Sequence, residues 1–236
     1  MIGSIANGMN ESFESGVQMT DAFQKLNNNT DWPDLTGVPP WDYTLGGGGR
    51  ELIDRVITDS GATHMLEIGC FLCASARRWF SNHPNLKLVG IDPWDDGLID
   101  QVARYIGRPN LTRKYPDPVT QQQMLADITK NGPYATALAN VAEFKDRFAP
   151  VRGLSPDKLY ELKEKGFEPD IVYIDCDKKP DELEVSHKLW PNAHITGDDW
   201  HWNRAHGYPM RTVVNDFAKK HGFVVEADWA TWILKK

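Results

Sequence analysis

Cysteine is scarce. Three in 236 residues are too few for a disulfide framework, and the odd count leaves at least one thiol free, so a reducing compartment is the expected home. No stretch approaches the roughly 20 consecutive apolar residues of a membrane span. Met1 to Thr20 has neither the basic start nor the apolar run of a secretion signal, and the expectation is a cytoplasmic protein. Long Lys/Arg runs are missing as well, and the net charge is −7, which removes the electrostatic footprint of a nucleic-acid or anionic-lipid binder. A small-molecule partner is expected, with neither nucleic acid nor membrane, and a homo-oligomer is compatible with the sequence.

What is present is ordinary for one globular domain: 41% hydrophobic and 25% charged residues. The first 49 residues stand apart. Asn27-Asn28-Asn29, Pro33, Pro39-Pro40 and Gly46 to Gly49 punctuate the backbone, with at most one helix near Phe13 to Leu26. They read as an N-terminal arm or lid, whose Trp32, Trp41 and Tyr43 are expected to pin the loop to the core. Residues 50–236 read as one domain with an insertion over about 95–134.

In that domain apolar strands alternate with helices. Thr63 to Ile68, Leu86 to Ile91, Phe148 to Val151, Asp170 to Ile174 and Ala193 to Thr196 read as strands. Helices are expected at Leu52 to Ile57, Ala74 to Asn82, Val119 to Lys130, Pro133 to Phe144, from Ser155-Pro156 to a stop at Gly166, Pro180 to Leu189, and Pro209 to Lys220. Phe223 to Glu226 and Thr231 to Leu234 are separated by a hairpin-length connection, so the last strand should run antiparallel at or near an edge. The fold expected is α/β: a doubly wound, mostly parallel seven-stranded sheet with helices on both faces and an antiparallel strand near the C-terminus. In such sheets ligands bind beyond the carboxyl ends of the strands.

After the first strand comes Glu67-Ile68-Gly69-Cys70-Phe71-Leu72-Cys73. Gly69 lets the backbone turn tightly beside a ligand, but it is the only glycine between Glu67 and Ser75, so the dinucleotide fingerprint G-x-G-x-x-G is missing. Cys70 and Cys73 have no second pair for zinc and read as packing residues. The second strand ends at Asp92-Pro93-Trp94, where a carboxylate can hold a ribose diol. Asp175-Cys176-Asp177-Lys178 and Asp198-Asp199-Trp200 follow the next two strands. Carboxylates crowded at one edge repel one another, and a hard divalent cation relieves this. A metal site among the aspartates of these two strand ends is the expectation, against separate helix caps at Asp177 and Asp181.

Over about residues 50–234 these motifs resemble the class I S-adenosylmethionine-dependent methyltransferases. Glu67-Ile68-Gly69 is similar to the methionine-side motif of that fold and Asp92 to its ribose-binding acid. Within the class the chain is similar to the metal-dependent macrocin O-methyltransferase type, and in one respect to the catechol and caffeoyl-CoA enzymes. The resemblance implies a cofactor, S-adenosylmethionine (SAM), held by Glu67, Gly69, Phe71, Asp92, Pro93, Trp94, Ser155 and Asp175. It also implies Mg²⁺ or another divalent cation on Asp175, Asp198 and Asp199. Lys178, three places after Asp175, stands where the catechol type has its base; Asp175 and His201 are the other catalytic candidates, with His206 behind them. The sequence departs from the pattern at Cys73, where a glycine is usual, and at Arg152-Gly153-Leu154-Ser155, which offers Ser155 in place of an acidic adenine contact. The implied reaction is O-methylation of a small hydroxylated metabolite. The alternatives are a nicotinamide-linked oxidoreductase and a noncatalytic ligand-binding protein on the same fold.

Overall fold

A computed structural model describes residues 21–41 and 49–236. Tyr43 and Gly46 to Gly48, and the part of the expected Phe13 to Leu26 helix before Asp21, lie outside the described residues; its described end is helical over Ala22–Asn28. Seven strands, β1 (His64–Ile68), β2 (Lys87–Asp92), β3 (Phe148–Arg152), β4 (Ile171–Ile174), β5 (His194–Gly197), β6 (Val224–Asp228) and β7 (Thr231–Lys235), form one sheet. Its order is β3-β2-β1-β4-β5-β7-β6. The pairs β1/β2, β1/β4, β2/β3 and β4/β5 are parallel, and β7 is antiparallel to both β5 and β6. The chain builds outward from β1 to β3, then returns to the other side of β1 with β4, so the topological switch lies between β1 and β4.

Ten helices among the described residues surround the sheet: α1 (Ala22–Asn28), α2 (Glu51–Ser60), α3 (Ala74–Asn82), α4 (Gly97–Tyr105), α5 (Pro109–Lys114), α6 (Pro118–Asn131), α7 (Pro133–Ala139), α8 (Asp157–Glu164), α9 (Asp181–Leu189) and α10 (Pro209–His221). The central parallel strands read as largely apolar runs because both faces are covered, whereas the edge strand β6 is mostly exposed. With a side-chain period of two, Met65, Leu88, Phe148 and Tyr173 face Ile53, Trp79, Val102, Ile128 and Leu138 of the α2–α7 layer. Leu66, Val89, Ala149 and Val172 face Phe23, Leu159, Leu183 and Phe217 of α1, α8, α9 and α10. Each such side chain contributes about 1.5–3 kcal/mol of burial free energy. Glu67 shares the Met65 face and is fully buried there. No helix among the described residues is long and apolar enough to cross a membrane.

Several boundaries differ from expectation. α8 starts at Asp157 with no side-chain cap; the Ser155 hydroxyl, expected to cap it, donates instead to Glu182 Oε1 at 2.9 Å. The helix from Pro133 ends at Ala139, and a separate 3₁₀ turn covers Ala142–Arg147. The buried Asn140 follows α7, and its amide donates to the Trp41 and Leu72 carbonyls. The segment expected to be an insertion carries two helices, α4 and α5, that its polar sequence hides: each buries only one or two side chains, Leu98 and Val102 from α4 and Leu111 from α5. Trp41 Nε1 donates to Asp127 at 3.1 Å and Trp32 packs edge-on against Phe148, so these two aromatics pin the arm to the body. Phe23 of α1 is itself a core residue.

Candidate functional site

The residues singled out at the strand ends meet around the switch point. Gly69 has φ +91°, and a Cβ there would collide with the Asp175 carbonyl, so the turn after β1 and the end of β4 touch backbone to backbone. Phe71 and Cys73 also take left-handed backbone, with φ +50° and +58°. Cys73 thus adopts the conformation for which a glycine is the usual choice. Cys70 and Cys73 are buried free thiols, as a packing role requires.

Asp92 closes the other side of this turn. Its Oδ2 accepts from the Phe71 N–H at 2.8 Å and its Oδ1 from the Trp94 N–H at 2.9 Å. The Trp94 indole donates back to the Phe71 carbonyl at 2.7 Å. Burial raises the Asp92 pKa against the pull of these N–H groups. Trp94 is a core residue at 1% exposure, packed on Tyr134. Beneath the turn, Glu67 Oε1 accepts from the Ser75 hydroxyl, while Oε2 is buried with no partner. Burial pushes Glu67 up to about 8, against the Ser75 hydroxyl and the Arg50 charge.

The aspartates after β4 and β5 do come together, but around cations of the chain itself. The Arg50 guanidinium, just before α2, lies 2.7 Å from Asp198 Oδ2 and 3.7 Å from Asp175 Oδ2. Asp198 Oδ2 also accepts from the Tyr173 hydroxyl at 2.9 Å, and its Oδ1 from the Asp199 N–H at 2.7 Å. Asp199, at φ +65°, is ion-paired with Lys178, whose ammonium also donates to the Cys176 carbonyl. Among the described residues no group of three His, Cys, Asp or Glu side chains is placed to hold a metal ion. The expected donors are engaged by Arg50, Lys178 and Tyr173, an arrangement that does not fit a divalent cation.

Charge follows from this geometry. Burial opposes the Lys178 charge, but Asp199 and Asp175 outweigh it and raise its pKa. Burial, then Asp198 and Asp199, raise Asp175 well above the ordinary carboxylate range, with Arg50 and Lys178 pulling the other way. Arg50 is raised too: burial opposes its charge, and Tyr173, Asp198 and Asp175 prevail.

His201 is placed elsewhere on the rim. Its Nδ1 meets Arg211 at 2.6 Å, and its ring packs against Tyr208 and Trp229; His206 meets the Asn203 side chain. Ser155, with Glu182, lies beyond β3; Glu182 Oε2 is buried and unpartnered. An open groove of about 500 Å³ lined by Val56, His194, Phe223 and Leu234 is at the opposite end of the strands and contains none of these groups. Arg50 and Tyr173 escape sequence reasoning. Arg50 follows a glycine run as an ordinary surface-type residue, and Tyr173 reads as one more apolar strand position.

No protein-family model and no curated protein sequence matches the chain. Solved structures match its shape. The O-methyltransferase TomG from Streptomyces achromogenes, involved in tomaymycin synthesis and solved with SAM, is similar over 90% of this chain and 86% of its own, with 17% identity and a TM-score of 0.52. The methyltransferase PaMTH1 from Podospora anserina, solved with bound S-adenosylhomocysteine (SAH), is similar over 99% of both chains, with 15% identity and a TM-score of 0.52. With its seven-stranded order and its single antiparallel strand inside the edge, this chain has the Rossmann-like fold of these methyltransferases.

Proposed function

We propose that the protein is a SAM-dependent O-methyltransferase acting on a small hydroxylated metabolite. Asp92 carries the reading. It is a carboxylate at the tip of the second parallel strand, oriented by backbone N–H groups beside the Gly69 turn, and a carboxylate's roughly four acceptor sites leave capacity for ribose hydroxyls. Gly69, Phe71, Pro93 and Trp94 belong to the same pair of turns, with the buried Glu67 beneath them and the Asp175 backbone against Gly69; we assign the cofactor to this end of the sheet. Ser155 is the adenine-side candidate, supported by its place beyond β3. Two proteins of the same fold, solved with SAM and SAH, support the choice of cofactor.

SAM, held by the Gly69 and Asp92 turns, would supply an electrophilic methyl group to the acceptor oxygen, and the chain's own residues would have to take the acceptor's proton. Asp175, at the end of β4 beside the Gly69 turn and facing the Arg50 guanidinium, is placed to take that proton in its ionised form. Lys178 keeps its proton on Asp199 and therefore serves as a cation beside the developing oxyanion, not as the base expected of it. Trp202, 47% exposed with the Lys178 ammonium 5.7 Å from its ring centre, offers an apolar face to the acceptor. His201 is the remaining candidate base. The expected Mg²⁺, or another divalent cation, is no part of this mechanism, because Arg50 and Lys178 hold its donors.

Calorimetry with SAH and with NAD tests the cofactor. SAH is expected to bind and NAD is not; binding of NAD alone would transfer the chain to the oxidoreductases, and binding of neither would leave a noncatalytic fold. Methyl release over a panel of phenols, sugars and other hydroxylated acceptors then tests the reaction.

A further inference from the structure

We propose that Arg50 is the resident cation of this site, standing where the sequence pattern calls for a divalent metal, and that the protein binds no such metal there. Three observations carry this. The guanidinium sits on Asp198 at 2.7 Å and within 3.7 Å of Asp175, the two carboxylates at the ends of β4 and β5 that a shared ion would bridge. Its side chain is only 10% exposed, so it is a built-in part of the floor, unlike a mobile surface arginine. Its Nε–H is buried with no hydrogen-bond partner, a donor left over in a site otherwise crowded with acceptors.

A guanidinium suits this place chemically. It carries a permanent charge and five N–H donors in a planar fork, and it neutralises carboxylates without the oxygen cage that Mg²⁺ or Ca²⁺ demands. Tyr173 adds a hydroxyl on the same Asp198 oxygen, and Lys178 holds Asp199. The three aspartates are thus shared between two side-chain cations. Arg50 enters from the segment before α2, more than 120 positions away in sequence from the carboxylates it compensates. The inference deepens the methyl-transfer reading and rests on it for the role of the site. A titration with metal alone reads the site whether or not SAH binds, so the two readings fail separately.

The test is Mn²⁺ binding, followed by calorimetry and by electron paramagnetic resonance, on the wild-type chain, Arg50→Ala and Arg50→Lys. Wild type and Arg50→Lys are expected to show no saturable Mn²⁺ binding at millimolar metal. Arg50→Ala, relieved of the charge, is expected to gain one Mn²⁺ per chain, bound at least about tenfold more tightly than by wild type, with a rise in its melting temperature on adding metal. Saturable binding of one Mn²⁺ by wild type that Asp199→Asn abolishes would overturn the proposal. So would a folded Arg50→Ala that gains no metal. Should Arg50→Ala not fold, the wild-type titration still decides: saturable Mn²⁺ binding lost in Asp199→Asn overturns the proposal, and the absence of saturable binding upholds it.

Discussion

Asp92 has two tasks that one substitution separates from the rest of the fold. It ties the turns after β1 and β2 together through the Phe71 and Trp94 N–H groups, and under the proposed function it accepts from the ribose. Hydrogen bonds to a charged group are worth about 1.5–3 kcal/mol, so Asp92→Ala is expected to weaken SAH binding by about 10–150-fold, measured by calorimetry. Unchanged affinity would remove the observation on which the cofactor assignment stands. Lys178 offers a second test at this scale. Its ion pair with Asp199 keeps it protonated, so charge, not basicity, should be what turnover needs. Lys178→Ala is expected to lower kcat by ~10²-fold or more with SAH affinity little changed, and Lys178→Arg, which keeps the charge, to recover part of the loss. An Arg variant as inactive as the Ala variant would return the base role to Lys178.

Among the elements, the turn between β1 and α3 is the one most tightly constrained. Gly69, Phe71 and Cys73 all have positive φ, and the Asp175 carbonyl stands where a Gly69 side chain would go. Gly69→Ala combines left-handed strain, about 1–3 kcal/mol, with that collision. The expected result is a fall in stability of at least this size in urea unfolding and loss of SAH binding; a variant of wild-type stability would show that the turn relaxes freely. The strands and helices that frame the turn were legible in the sequence, because runs such as Met65-Leu66 and Val172-Tyr173-Ile174 are buried on both faces and Gly222 ends α10 in left-handed backbone. α4 and α5 were not. Their few apolar side chains reach the core singly, so no helical stripe appears in the sequence. Ser155 misled for a related reason: a hydroxyl before a proline is a good cap signal, but the buried Glu182 carboxylate, brought close by packing of α8 on α9, claims it.

At the scale of the whole molecule, buried acids should make stability depend on pH. Glu67 is pushed up to about 8 from an ordinary 4.5, so between these values the folded chain binds a proton that the unfolded chain has released. Its contribution is full below the ordinary value and is lost as pH rises through about 8, an effect of a few kcal/mol; Asp92, also raised by burial, acts with the same sign. Glu67→Gln mimics the neutral acid and should be less sensitive, gaining on wild type in melting temperature as pH rises from 6 to 9, by the part of that contribution lost between pH 6 and about 8. A wild-type melting temperature that rises over this range would contradict the assignment of a proton to Glu67.

Local pattern alone determined the seven strands and most of the helices that cover them, that parallel strands would be buried on both faces, and that acidic side chains would gather at the carboxyl ends of β2, β4 and β5. These follow from periodicity and turn chemistry, which act over a few residues. What balances those acids was decided only in three dimensions. Arg50 meets Asp198 because α2 packs against β7 and β6 and its N-terminal end comes to the carboxyl end of the neighbouring β5, and Lys178 turns onto Asp199 because β4 and β5 are neighbours. Coulomb energy depends on distance through space and on burial, neither of which is written in the spacing of residues along the chain.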